Sequence, residues 1–217
     1  SQSGVTWRVE RKLAPDRSIP ITEAAEILLE ELGSLAESEP SIERAIKLVF
    51  SGLGSAGYPK LAKFQIKAAA NYLKSLISGT GHSIFTAGTG SGKTLAFQIP
   101  VLIKLVYDRI NGDANNTVYA FVFPRVALAI DQADSLRKLC KFVNREICKN
   151  SICTEEERVR LVLDAGGKLA DECKAHFGAS DEQTGNISGG RWKPSMNKSQ
   201  GFLFGGVCTN PPEIIVT

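Results

Sequence analysis

No stretch of this sequence approaches the roughly 18 to 20 uninterrupted apolar residues that a membrane span requires, and its first residues lack a basic region followed by a hydrophobic core. The expectation is a cytoplasmic protein with no membrane partner. Cysteine is sparse: Cys140, Cys148, Cys153, Cys173 and Cys208 are odd in number and form no CxxC pair, so reduced thiols fit better than a disulfide framework. The two histidines, His82 and His176, have no partner pattern around them, and surface or core placement is their plain reading. No repeat is visible at solenoid periods. Nor does charge of one sign dominate, because 26 basic and 23 acidic residues leave a net +3. That balance permits a polyanionic partner without the dense basic patch that would identify one.

What is present is apolar material: 43% of 217 residues, enough for one globular core. Ile21, Ala25, Leu28, Leu29 and Leu32 recur at helical steps and predict a helix over residues 22–35, with Gly33 as a stop signal. Ser41 can cap a second helix reaching about residue 50, with Ile42, Ala45, Ile46 and Val49 on one face. These form a helical extension over residues 1–57. The glycines and proline of "SGLGSAGYP" predict a loop, followed by a third helix over residues 61–77.

From Ser83 the pattern alternates. "SIF" and "VYAFVF" read as strands, while residues 93–110 and 127–143 read as helices, an alternation that indicates an α/β fold with a parallel β-sheet flanked by helices. Residues 158–163 fit a strand, although Thr154 with Glu157 also fits a capping box and leaves helix open. Residues 178–201, rich in Gly, Ser, Asn and Gln, read as a surface loop or insertion, and "PPEIIVT" as a last buried strand. The second domain therefore covers residues 58–217.

The sharpest motif is "AGTGSGKT", between an apolar run and a helix-compatible segment. It meets the P-loop pattern through Gly88, Thr89, Gly90, Ser91, Gly92, Lys93 and Thr94, with Ala87 where the general pattern has glycine. Small residues let backbone N–H groups curl around phosphates, and the following helix start adds its positive end. Lys93 supplies charge for the β and γ phosphates of ATP, and the Thr94 hydroxyl can ligate Mg²⁺. The plain alternative is a glycine-rich turn that happens to carry Lys-Thr.

Two further elements carry a family resemblance. Gln65, in the helix ahead of the P-loop, resembles the adenine-reading glutamine of superfamily 2 helicases, since an amide offers both the donor and the acceptor that adenine's edge needs. "FPRVALAIDQ" resembles motif Ia of the same superfamily through Pro124, Ala127, Leu128, Ala129, Asp131 and Gln132. Arg125 stands there where the family usually has Thr, and Val126 where it has Lys or Arg. "PPEIIVT" resembles the strand into motif Ib, particularly in large bacterial helicases of the YprA-like and Hrq-like type, with Thr217 at its nucleic-acid-facing end. Gly166 and Gly167 resemble the family's GG element across an insertion.

The resemblance implies a RecA-like P-loop NTPase domain whose motif Ia, at Pro124, Arg125, Ala127, Asp131 and Gln132, grips single-stranded or duplex nucleic acid, DNA favoured over RNA. It implies a second RecA-like domain as partner, and a DExx box that should follow Thr217. No DEAD, DEAH or DExH sequence occurs in the chain, so these residues alone should bind ATP but hydrolyse it poorly. A branch of the superfamily places an iron–sulfur cluster near the position of Cys140 to Cys173, but the spacing favours scattered thiols. Trp192, between Arg191 and Lys193, fits a base-stacking platform or a loop anchor. Competing readings are a P-loop NTPase that remodels protein and a nucleotide-binding module without turnover. Salt-dependent binding of nucleic acid separates the first from a helicase, and turnover separates the second.

Overall fold

The structure is a computed structural model, and it describes residues 16–81, 84–85, 92–113, 117–152, 159, 161–163, 194–197, 201–204 and 213–217. A two-residue strand β1 (Ile19–Pro20) leads into α1 (Ile21–Leu32). Gly33 ends α1, but a short α2 (Ser34–Ser38) follows it where a single helix through residue 35 was expected.

α3 (Pro40–Ser55) departs further from expectation. It begins two residues earlier, with Pro40 in its first turn, and Ser41 does not cap it; the Ser41 hydroxyl donates instead to Asn111 Oδ1 at 2.7 Å. It also runs straight through Ser51–Ser55, the first part of the predicted loop over residues 51–59. The reason is packing. A side chain at Gly52 would meet Val143 Cγ2 at 2.9 Å and the Val143 backbone at 3.0 Å, so α3 needs a bare backbone there to lie against its neighbour.

β2 (Lys60–Leu61) returns to pair antiparallel with β1, Ile19 opposite Leu61 and Pro20 opposite Lys60, and the Ile21 N–H extends the pairing to the Pro59 carbonyl at 2.9 Å. α4 (Lys63–Ser78) and α5 (Lys93–Ile110) follow, the latter with the expected bounds. Pro100 lies inside α5, where it removes a donor toward the Ala96 carbonyl. The expected "SIF" strand is not formed by its described residues: Ile84 is 90% exposed, and Phe85 meets Tyr72 of α4 edge-on at 6.2 Å.

β3 (Tyr119–Phe121), α6 (Val126–Lys149), β4 (Leu161–Leu163), a hairpin of β5 (Pro194–Asn197) with β6 (Gly201–Phe204), and β7 (Ile214–Val216) complete the described elements. Strand is thus the outcome at residues 161–163, and part of the expected loop at 178–201 is a hairpin. The sheet β3-β7-β4 is parallel, with Tyr119 and Leu161 both opposite Ile214. Parallel pairing is the expected consequence of strands joined through helices.

One hydrophobic core runs from Ala24 and Leu28 of α1 through α3, α4, α5 and α6 to Ile214 and Val216 of β7. Two buried polar contacts tie the sheet to it. Asn144 of α6 donates through Nδ2 to the Val159 carbonyl at 2.9 Å and accepts the Val159 N–H at 2.8 Å, satisfying the backbone just ahead of β4. Arg109 near the end of α5 reaches Glu213, just ahead of β7, at 2.5 Å and also donates to the Leu105 carbonyl. The Cys140 thiol lies in the same interior, where burial pushes it up to about 12 and keeps it protonated. Among the described residues no helix is long and apolar enough to cross a membrane.

The α3–α6 contact gives a direct test. Gly52→Ala forces a methyl group against the Val143 backbone, which cannot rotate away, and should destabilise the fold by about 1 to 3 kcal/mol. The thermal unfolding midpoint should fall accordingly. An unchanged midpoint would mean that the two helices are not in contact at Gly52.

Candidate functional site

Gly92, Lys93 and Thr94 are the described part of the P-loop; Ala87, Gly88, Thr89, Gly90 and Ser91 lie outside the described residues. Gly92 caps α5 with φ 79° and ψ 32°, the left-handed conformation that favours glycine. Lys93 and Thr94 then begin the first turn, half-buried, and none of that turn's own residues is acidic. The first N–H groups of a helix lack partners within it, so this turn combines backbone donors, the positive end of the helix and a cationic side chain.

Gln65 is completely buried in the first turn of α4, and both ends of its amide are engaged. Oε1 accepts the Ala62 N–H at 2.9 Å, one half of a capping box; Ala62 has no side-chain acceptor to complete the other half. Nε2 donates to the Gly92 carbonyl at 2.7 Å. The sequence placed Gln65 and the P-loop apart by 22 residues and gave no sign that they bond. One donor position on Nε2 and one acceptor position on Oε1 remain on the amide.

A second grouping forms where β3 and β7 end. The Thr217 N–H donates to the Phe121 carbonyl at 2.9 Å, and the Phe123 N–H donates to the Thr217 carbonyl at 2.8 Å. Thr217, which is exposed, is therefore held against the segment that runs into exposed Pro124 and Arg125. Arg125 is extended and caps α6, whose first turn carries exposed Ala127, with exposed Asp131 one turn on. Gln132 stands apart from this surface: it is half-buried, and its Oε1 is enclosed without a hydrogen bond among the described residues. Phe97 of α5 packs on Phe121 at 5.6 Å, which sets the early part of α5 beside the end of β3 that leads into Pro124. The second grouping lies at the carboxyl ends of β3 and β7, the edge at which open α/β sheets bind ligands.

The DEAD/DEAH box helicase model matches residues 63–171, half of the chain. The chain belongs to the DEAD/DEAH box helicase family. It is 35% identical over 124 residues to the ATP-dependent RNA helicase DRS1 of Kluyveromyces lactis, covering 56% of this chain and 14% of that protein. It is 33% identical over 98 residues to the ATP-dependent RNA helicase MAK5 of the same organism, covering 45% and 11%. To the ATP-dependent RNA helicase DBP4 of Mycosarcoma maydis it is 38% identical over 89 residues, covering 41% and 9%. The chain thus spans a small part of the length of these relatives. No solved structure matches it.

These relatives correct two expectations. They are fungal helicases, not the bacterial YprA-like and Hrq-like group. They are also named for RNA, which overturns the expectation that DNA is favoured. The physical reason is plain: contacts to phosphate position a strand and are common to both polymers, so a P-loop and motif Ia hold no group that distinguishes them. Among the described residues no cluster of three or more His, Cys, Asp or Glu could hold a metal ion. Cys153, Cys173, Cys208, His82, His176, Gly166, Gly167 and Trp192 lie outside the described residues.

Replacing Gln65 by alanine strips the Ala62 N–H and the Gly92 carbonyl of their partners in a buried setting. Each such loss destabilises by about 1 to 3 kcal/mol, so Gln65→Ala should lower the urea unfolding midpoint clearly while leaving the unfolding slope unchanged. A midpoint equal to that of the parent chain would mean that the bridge contributes nothing.

Proposed function

We propose that this chain is the ATP-binding part of an ATP-dependent RNA helicase, with a RecA-like P-loop fold. The observation that carries the reading is the bond from Gln65 to Gly92, which ties the amide-bearing helix to the start of the P-loop helix. Lys93 neutralises phosphate charge, the residues Ala87, Gly88, Thr89, Gly90, Ser91 and Gly92 wrap the phosphates, and Gln65 braces the Gly92 carbonyl beside them. The first turn of α5 fits a metal-bound triphosphate, since it carries a cation and a hydroxyl and none of its own residues is acidic. The Thr94 hydroxyl would hold Mg²⁺, which would supply neutralisation of phosphate charge.

In this reading the exposed surface of Pro124, Arg125, Ala127, Asp131 and Thr217, with Gln132 behind it, takes the RNA backbone. The first N–H groups of α6 and the Arg125 guanidinium supply donors to phosphate. RNA is chosen because the relatives are named for it. In the whole protein, ATP closes a second RecA-like domain onto this one, and the shift between open and closed states moves the grip along the strand.

ATP binding by Lys93→Ala tests the nucleotide half. Loss of a charge-assisted contact should weaken ATP by about tenfold or more, since such contacts contribute roughly 1.5 to 3 kcal/mol. ATP affinity equal to that of the parent chain would remove Lys93 from the site. For the RNA half, affinity for single-stranded RNA should fall with added salt, and Arg125→Ala should reduce the log–log slope by about one contact's share, near 0.7. A slope unaffected by Arg125→Ala would exclude it from the phosphate path.

A further inference from the structure

We infer that Arg17, in the segment ahead of the matched family region, is a phosphate-contacting residue of the nucleotide site; the inference rests on the nucleotide-binding reading of the P-loop. The antiparallel register of β1 with β2 sets Ile19 opposite Leu61, so continuing it two residues carries residue 17 to the first turn of α4, where Gln65 sits. The side chain then reaches the P-loop helix. A methyl group added at Gly92 would lie 2.5 Å from Arg17 Nη2, 3.3 Å from Arg17 Cζ and 2.7 Å from Gln65 Nε2. The guanidinium and the Gln65 amide therefore cover the same face of Gly92. That face is open to them only because the residue there is glycine.

The electrostatics of this placement point to an anion. Arg17 is exposed, and among the described residues it makes no hydrogen bond and no ion pair. It lies at the N-terminus of α5, whose dipole presents positive charge, next to the residue that carries Lys93, and the first turn holds no carboxylate. A helix start repels a cation, so a guanidinium set there lacks its complement until negative charge arrives. A planar guanidinium offers paired donors that match phosphate oxygens, and the polyphosphate of a nucleotide at Lys93 is the anion within its reach. The family match begins at residue 63, so nothing in it assigns Arg17 a role.

The test is equilibrium binding of ATP and of inorganic tripolyphosphate to the full chain and to Arg17→Ala, Arg17→Lys and Lys93→Ala, with thermal unfolding as a check on folding. Arg17→Ala should weaken both ligands about tenfold, as expected for one charge-assisted contact, and Arg17→Lys should recover most of the loss because the charge is kept. If Lys93→Ala weakens both ligands and Arg17→Ala weakens neither, the inference is overturned while the nucleotide site stands. If Arg17→Ala weakens ATP but not tripolyphosphate, Arg17 does not contact phosphate and the assignment is likewise overturned. Should Lys93→Ala leave both ligands unaffected, the nucleotide reading itself fails, and Arg17 with it.

Discussion

The candidate nucleotide site depends on one buried side-chain amide. Gln65 accepts from the Ala62 N–H, which fixes the start of α4, and donates to the Gly92 carbonyl, which fixes the residue from which α5 departs. A glutamine with no exposed surface must satisfy its amide internally, or its burial is strongly unfavourable. Here the requirement is met by two backbone groups from different elements, so the side chain serves as a rigid spacer between them. Lys93 and Thr94 inherit their position from that spacer, because they are the next two residues along α5. Arg17, just ahead of the β1–β2 pair, reaches the same face of that glycine. Three chain segments, distant in sequence, meet at a residue without a side chain.

Around that junction, packing decides where helices and strands can lie. α3 approaches α6 closely at Gly52, which brings the helical lead-in into the same core as α4, α5 and the sheet. At the far side, the Arg109–Glu213 pair joins the end of α5 to the start of β7, and Asn144 joins α6 to the backbone ahead of β4. Such contacts contribute little net stability compared with an apolar core, but leaving any one of these groups unpaired inside the protein is unfavourable. They therefore act as restraints on register. Through β7 they hold Thr217 beside the segment leading to Arg125, which composes the surface assigned to RNA.

Local signals in the sequence were read well where chemistry is local. The bounds of α5 follow from the P-loop glycines and a long apolar periodicity, and the apolar runs at β3 and β7 are strands in a parallel sheet as expected, while at β4, where helix was also open, strand is the outcome. Helix α3 was read short because Gly52 and Gly54 signal a loop by propensity, whereas contact with α6 favours helix with a small residue. Ser41 resembled a cap, yet Asn111, 70 residues away, takes its hydroxyl. In the site, Gln65 and Lys93 were legible from motif spacing, but their connection through Gly92 was not, nor was Arg17. Neither lies in a motif, and both depend on tertiary contacts that no local window contains. That the relatives are named for RNA rather than DNA was illegible for a different reason: the backbone contacts that the motifs supply are shared by both polymers.

If the meeting of three segments at Gly92 is the nucleotide site, binding should protect all three together. Hydrogen–deuterium exchange of the full chain, with and without ATP and Mg²⁺, measures this directly. The expected result is slowed exchange in the residues around Arg17, in the first turn of α4 around Gln65 and in the first turn of α5 around Lys93, with the β5–β6 hairpin unchanged. Protection confined to other parts of the chain, or none at saturating ATP, would contradict the account.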